Sequence, residues 1–323
     1  MKTKIVKAPD GRGNILYWIT KSLVRLIDMR GELSGTKEEI LARAAKTNAK
    51  NRSFFMPRDN KAYYTDHIID GYHCLEINMQ ATQRKWAVLF IFGGGMILGS
   101  DKGDIGLSRK IAQITDSDVW FPYYPMCHEH DMLENVKMIY GCYEEMLRYY
   151  DPENIIVLGF SSGGALALNL ITYINEMNDK GGNIPMPALL IPISPGSVPV
   201  NDKERERIRQ LDKKDIMVPA SYMETAREIM CCGHDVDEKY LATAHGDFRN
   251  APLTHFFYGS HETLYAFAPS YAAAYRKAGA ECVFHVGKGM HHCYTLQYFI
   301  PGCRSAFDDL MHVINDFKKG TEK

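Results

Sequence analysis

The sequence predicts an α/β chain whose mostly parallel sheet is covered by helices on both faces. Three observations carry that expectation. Short apolar runs without polar alternation, at 86–92, 118–124, 155–158, 188–194, 256–260 and 282–286, have the character of strands buried on both sides. Segments of helical period lie between most successive runs, and a crossover of that length joins parallel neighbours. Two further segments, 1–60 and 198–250, are charged, helical in character and free of convincing strands, so they stand outside the alternation.

Composition agrees. The 323 residues are 46% hydrophobic and 24% charged, which is ordinary for a soluble globular chain with a sizeable core. The net charge of −1 gives no overall electrostatic case for nucleic acid or an anionic membrane. Eight cysteines are scattered without a framework spacing, and no secretory segment is read ahead of them; reduced thiols and a cytoplasmic location are the expectation.

Taken in order, Ile15, Ile19, Leu23, Leu26 and Ile27 recur at helical spacing and predict an amphipathic helix packed on protein. Lys21 and Arg25 interrupt it, and it is too short to span a bilayer. Thr36-Lys37-Glu38-Glu39 has the form of a capping box. Residues 63–78 read as a hairpin around Asp70-Gly71. A strand at 86–92 runs into three glycines, a helix follows over 104–115, and a strand over 118–124. Residues 133–150 place Val136, Ile139, Tyr140, Tyr143, Met146 and Leu147 on one helical face. After the strand at 155–158 comes an Ala- and Leu-rich helix from Ala165. Beyond 198–250 the strands resume at 256–260 and 282–286, separated by a helix through Leu264, Tyr271 and Tyr275. A last helix turns Phe307, Leu310, Met311, Ile314 and Phe317 inward.

Functional groups in such folds gather beyond the carboxyl ends of strands. Four loops there carry suitable chemistry. Gly159-Phe160-Ser161-Ser162-Gly163 is a G-x-S-x-G turn between strand and helix, which lifts the Ser161 hydroxyl above the sheet with a helix N-terminus aimed at it. Phe92-Gly93-Gly94-Gly95 offers backbone N–H groups unobstructed by Cβ atoms, suited to an oxyanion, and the N–H of Ser162 completes the set with Gly94 and Gly95. It lacks the spacing of a phosphate loop. Glu262 follows the strand at 256–260, and His291-His292-Cys293 follows the one at 282–286. Neither that trio nor Cys127-His128-Glu129-His130 has the ligand spacing of a metal site, so no metal and no cofactor are expected. Ser161, Glu262 and His292 occur in the order serine, acid, histidine, an order that belongs to hydrolases built on this sheet.

On these motifs the chain resembles the hormone-sensitive-lipase-like family of α/β-hydrolase carboxylesterases over roughly residues 85–315. The family's H-G-G-G motif corresponds to Phe92-Gly93-Gly94-Gly95, and its G-D-S-A-G-G elbow to Gly159-Phe160-Ser161-Ser162-Gly163-Gly164. Tyr124-Pro125-Met126-Cys127-His128-Glu129-His130 looks like a degraded Y-x-L-A-P-E-H segment. The resemblance puts the catalytic acid on Glu262 and the histidine on His292, not His291. Phe92 and Phe160 depart from the pattern: they replace a histidine and an aspartate that hydrogen-bond, and a packing contact between the two rings is the expected compensation.

The resemblance implies an α/β-hydrolase fold with a helical cap made of residues 1–60 and 198–250 over a core of 61–197 and 251–323. It implies a serine carboxylesterase for short-acyl esters, with catalytic Ser161, Glu262 and His292 and an oxyanion hole from Gly94, Gly95 and Ser162. The expected partner is a small-molecule ester, with no nucleic acid and no integral membrane segment, and homodimerisation is left open. The alternatives are a non-catalytic ligand-binding protein on the same fold, or a peptidase or acyltransferase using the same triad.

Overall fold

The computed structural model describes residues 4–8, 15–25, 29–51 and 54–321. Its centre is one sheet of nine strands among the described residues: β1 (Lys4–Ala8), β2 (Tyr63–Ile69), β3 (Tyr72–Asn78), β4 (Ala87–Ile91), β5 (Asp118–Pro122), β6 (Ile155–Phe160), β7 (Leu189–Ile193), β8 (Leu253–Gly259) and β9 (Cys282–Gly287). The spatial order is β1-β9-β8-β7-β6-β4-β5-β3-β2. Only the β2–β3 and β3–β5 pairs are antiparallel. Every residue of β4, β5 and β7 is buried, because crossover helices cover both faces.

The Asp70-Gly71 hairpin forms as the dipeptide demands, with φ of +50° and +86° at the two turn residues. Helix α4 (Lys102–Thr115) starts two residues before its expected position, because Asp101 and Asp104 form a reciprocal capping box. Helices α5 (Met132–Met146) and α6 (Ser162–Asp179) pack on one another, as do α4 and α11 (Arg304–Thr321). Helix α10 (Ala268–Ala278) buries Ala268, Tyr271 and Tyr275.

The N-terminal segment differs from its sequence reading in two ways. Residues 4–8 are a strand that pairs parallel with β9, from Lys4 opposite Val283 to Ala8 opposite Gly287. Lysines conceal it in the sequence, and lysines are what edge strands use to discourage further pairing. Helix α1 (Ile15–Arg25) forms, but its face is reversed. Ile15, Ile19 and Leu23 are exposed, while Tyr17, Lys21 and Val24 are buried. The cause is Tyr17, whose hydroxyl donates to the Gly289 carbonyl and whose ring stacks on His291. Leu26 and Ile27 lie outside the described residues.

Helices α2 (Met29–Glu32) and α3 (Lys37–Asn51) follow, and the Thr36/Glu39 capping box closes in both directions, at 3.0 and 3.3 Å. Residues 198–250 form α7 (Asp202–Asp212), α8 (Ala220–Cys231) and α9 (Glu238–Leu241), with no strand. The two segments meet: α3 packs on α8, and Arg30 pairs with Asp212 at 2.7 Å. All eight cysteines are free thiols. Among the described residues no helix is long and apolar enough to cross a membrane.

Candidate active site

Ser161 sits between β6 and α6 with φ +54° and ψ −122°, a region a non-glycine residue enters only when its surroundings hold it there. Its N–H donates to the Ile193 carbonyl at 2.8 Å. A Cβ on Gly159 would strike the Gly163 carbonyl, and one on Gly163 would strike the carbonyls of Ile91 and Phe92. Glycine at both flanks is therefore a matter of space.

Two further strand ends, those of β8 and β9, bring the ionisable groups to that serine. His292 Nε2 lies 2.9 Å from Ser161 Oγ, and His292 Nδ1 lies 2.6 Å from Glu262 Oε2. Glu262 is fully buried, and its other oxygen accepts from the Gly259 N–H at 2.9 Å and the Ser194 hydroxyl at 3.0 Å. The Ser194 oxygen in turn accepts from the N–H of Cys293 at 3.1 Å, so one serine ties the acid to the histidine loop. Burial raises the Glu262 carboxyl above its ordinary value, against the lowering effect of His292 and Ser194. Burial alone would lower His292. The Cys293 sulfur, 3.4 Å from Nε2, and the Glu262 carboxylate outweigh it and hold the imidazole well above its usual 6.5.

His291 is a different kind of residue. Its Nε2 meets Gln297 Oε1 at 2.7 Å, its Nδ1 has no partner among the described residues, and burial pulls its pKa down to about 4. It is a neutral packing residue, stacked on Tyr17 and bonded to Gln297.

The glycine loop lies alongside the serine. Gly94 and Gly95 have φ of +154° and +63°, and their N–H groups have no hydrogen-bond partner among the described residues. Ser162 opens α6, where the first N–H groups lack intrahelical acceptors. Among the described residues the two phenylalanines form no ring stack with one another, and each stacks or packs on a different ring. Phe92 stacks on Tyr124 with ring centroids 4.3 Å apart, and Phe160 lies against Phe90 at 5.8 Å. Phe121 bridges them, 5.5 Å from Phe92 and 5.9 Å from Phe90. The Tyr124 hydroxyl donates to the Phe92 carbonyl at 2.9 Å, and so anchors the loop from its backbone.

A cavity of about 480 Å³ opens over Ser161 and His292, walled by Leu33, Leu107, Met217, Met223 and Leu264 among others. Its lining is mainly apolar, which suits an uncharged carbonyl compound. The Cys127-His128-Glu129-His130 groups diverge: Asn135 donates to Cys127 Sγ at 3.3 Å, and His130 pairs with Glu134 at 2.9 Å. Among the described residues no cluster of three or more His, Cys, Asp or Glu side chains is arranged to hold a metal ion.

A family model described as the alpha/beta hydrolase fold matches residues 88–296. The chain belongs to that family. The α/β-hydrolase membership expected from the glycine loop and the serine elbow is thereby shown. The α/β-hydrolase chain is 29% identical to Esterase LipU of Mycobacterium tuberculosis over 143 residues, 44% of this chain and 46% of that protein, and so spans about half of that relative. It is 23% identical to the versiconal hemiacetal acetate esterase of Dothistroma septosporum over 295 residues, 88% of this chain and 90% of that one. Among solved structures, EstE5 from crystals soaked with p-nitrophenyl butyrate superposes with a TM-score of 0.74 at 18% identity, covering 92% of this chain and 98% of that one. An esterase from the bacterial hormone-sensitive lipase family gives 0.72 at 18% identity, covering 90% and 97%. At such identities the structural likeness is one of fold.

Sequence reasoning missed Ser194, Asp215 and Tyr222, and it named Tyr124 in a motif without its bond to the Phe92 carbonyl. Ser194 had a signal, its place at the carboxyl end of β7. Asp215 and Tyr222 act on backbone groups far away in sequence and leave no local pattern.

Proposed function

We propose that this carboxylic ester hydrolase of the hormone-sensitive-lipase type cleaves short-acyl esters with Ser161 as nucleophile, His292 as general base and acid, and Glu262 as the carboxylate that orients it. One observation carries the reading: the unbroken hydrogen-bonded relay from Glu262 Oε2 through His292 to Ser161 Oγ, with spans of 2.6 and 2.9 Å. Glu262 keeps the proton of the neutral imidazole on Nδ1, which leaves Nε2 to accept the serine proton as Oγ attacks the ester carbonyl. The N–H groups of Gly94, Gly95 and Ser162 receive the oxyanion. Collapse expels the alcohol, protonated by His292, and water drawn in by the same imidazole then hydrolyses the acyl-enzyme.

The cap of this reading is residues 1–60 with 198–250, over a core of 61–197 and 251–323. It is supported by Met29 and Leu33 from the first segment and Tyr222 and Met223 from the second, all of which line the cavity. A cavity of about 480 Å³ exceeds what a short acyl chain fills, so the remainder suits an apolar alcohol portion. The test is a panel of p-nitrophenyl esters of rising acyl length. Turnover highest at the short chains and abolished in Ser161→Ala is expected; turnover that survives Ser161→Ala overturns the reading.

A further inference from the structure

The oxyanion loop carries two glycines at positive φ, and its one side chain beyond them, Phe92, packs on Tyr124 and Phe121 but has no hydrogen-bonding atom. Its carbonyls show what holds it in place. The Phe92 carbonyl accepts from Tyr124, the Gly94 carbonyl from the N–H groups of Ile97 and Leu98 at 3.2 and 2.9 Å, and the Met96 carbonyl from the N–H of Cys127 at 2.7 Å. Those donors all precede β6 in the chain. The Gly95 carbonyl instead accepts from the hydroxyl of Tyr222, which stands in the first turn of α8.

That turn is anchored at a second point of the same site. The Thr263 N–H donates to Asp215 Oδ2 at 2.6 Å, and the Thr263 hydroxyl donates to the Val218 carbonyl at 2.9 Å. The other Asp215 oxygen accepts from the N–H groups of Met217 and Val218 at 2.7 and 3.0 Å. Thr263 is the neighbour of Glu262. A single stretch, 215–222, therefore spans the acid loop and the oxyanion loop, the two parts of the site that must be in register when Ser161 attacks. Tyr222 is buried, and burial pushes its phenol far above the ordinary range, so it stays a neutral donor at every working pH. There is no slack at the contact: a Cβ added to Gly95 would lie 2.9 Å from the Tyr222 oxygen.

We propose that Tyr222 is a positioning residue whose hydroxyl fixes the Gly95 carbonyl, and with it the adjoining peptide planes, so that the Gly94 and Gly95 N–H groups face the oxyanion only while α8 is seated. The inference rests on the esterase reading above. Tyr222 replaces from the far side of the loop the stiffness that Phe92, with no hydrogen-bonding atom, does not supply. It touches no reacting atom. Its effect belongs to the transition state, where charge develops on the carbonyl oxygen, and not to ground-state binding.

Tyr222→Phe removes the donor and keeps the ring. The expected result is a loss of about tenfold in kcat with KM changed less than twofold, a fraction of what losing a whole oxyanion donor costs. A trifluoromethyl ketone labelled with ¹³C at the carbonyl reads the hole directly, through the pH at which the hemiketal formed with Ser161 ionises. That pH is expected to rise in the variant, because a misaligned hole stabilises the anion less. p-Aminophenylalanine at position 222 restores a donor on the same ring and is expected to recover kcat even if the phenylalanine variant is poorly folded. An unchanged kcat in Tyr222→Phe overturns the inference, as does a fall in activity carried by KM with the hemiketal ionisation unmoved. A wild-type protein that turns over no ester and forms no Ser161 adduct overturns the esterase reading, and this inference with it.

Discussion

The two halves of the site are held in opposite ways. The Ser161, His292 and Glu262 half is polar side chains joined to one another, each delivered by the end of a strand in the rigid sheet. The Gly93-Gly94-Gly95 half is bare backbone, braced from outside by two tyrosine hydroxyls and packed beneath by an aromatic ladder. The first half fails by losing chemistry. The second fails by losing alignment, so its variants have smaller and more separable effects.

The largest effects belong to the polar half. His292→Ala is expected to lower kcat by roughly 10⁴-fold or more, while His291→Gln leaves it nearly unchanged. Equal losses from the two changes, measured on one ester, would break the distinction between the histidines. Glu262→Gln is expected to cost about 10⁴-fold, because the amide no longer holds the imidazole tautomer. The same change gives a pH signature. As the proposed base His292 works only when neutral, and it is held above 6.5, so kcat/KM of the wild type is expected to rise along a limb lying above pH 6.5. Without the Glu262 charge that limb moves to lower pH. A limb that stays in place would show that the carboxylate does not set the base.

The loop half predicts stability effects of a few kcal/mol. Phe92→His gives up the stack on Tyr124 and buries a ring nitrogen without a partner, at a cost of about 1–3 kcal/mol in denaturant unfolding. His291 tests the packed ground next to the base. Its folded pKa of about 4 lies below the unfolded 6.5, so the unfolded chain binds the extra proton first on acidification. The stability it contributes is whole above pH 6.5 and is lost as pH falls towards 4, with a slope approaching about 1.4 kcal/mol per pH unit. His291→Gln is expected to flatten that slope. The smallest effect is the coupling of Phe92→His with Phe160→Asp. The rings are linked through Phe121 and Phe90 and form no ring stack with one another, so the double change should be additive within about 0.5 kcal/mol. A larger coupling would mean that the loop and the elbow repack as one unit.

The same contrast explains what the sequence made legible. Crossovers between apolar runs follow from local pattern, and so does the hairpin at Asp70-Gly71. The order of Ser161, Glu262 and His292 marks the polar half because each residue follows a recognisable strand. β1 was hidden because an edge strand with two lysines does not look buried. The reversed face of α1 was hidden because its inward residue, Tyr17, is chosen by a carbonyl 272 residues away. Tyr222 reaches Gly95 across 127 residues and Asp215 reaches Thr263 across 48, distances over which no period or spacing survives. Side chains that serve another residue's backbone leave a trace only in three dimensions.

The relay itself is tested most directly by treating the wild-type protein with a fluorophosphonate and locating the adduct by peptide mass spectrometry across a pH series. The account predicts one equivalent of label, on Ser161, formed faster as pH rises above 6.5 and absent from both Ser161→Ala and His292→Ala. Label on any other residue, or labelling of Ser161 at an unchanged rate without His292, would contradict it.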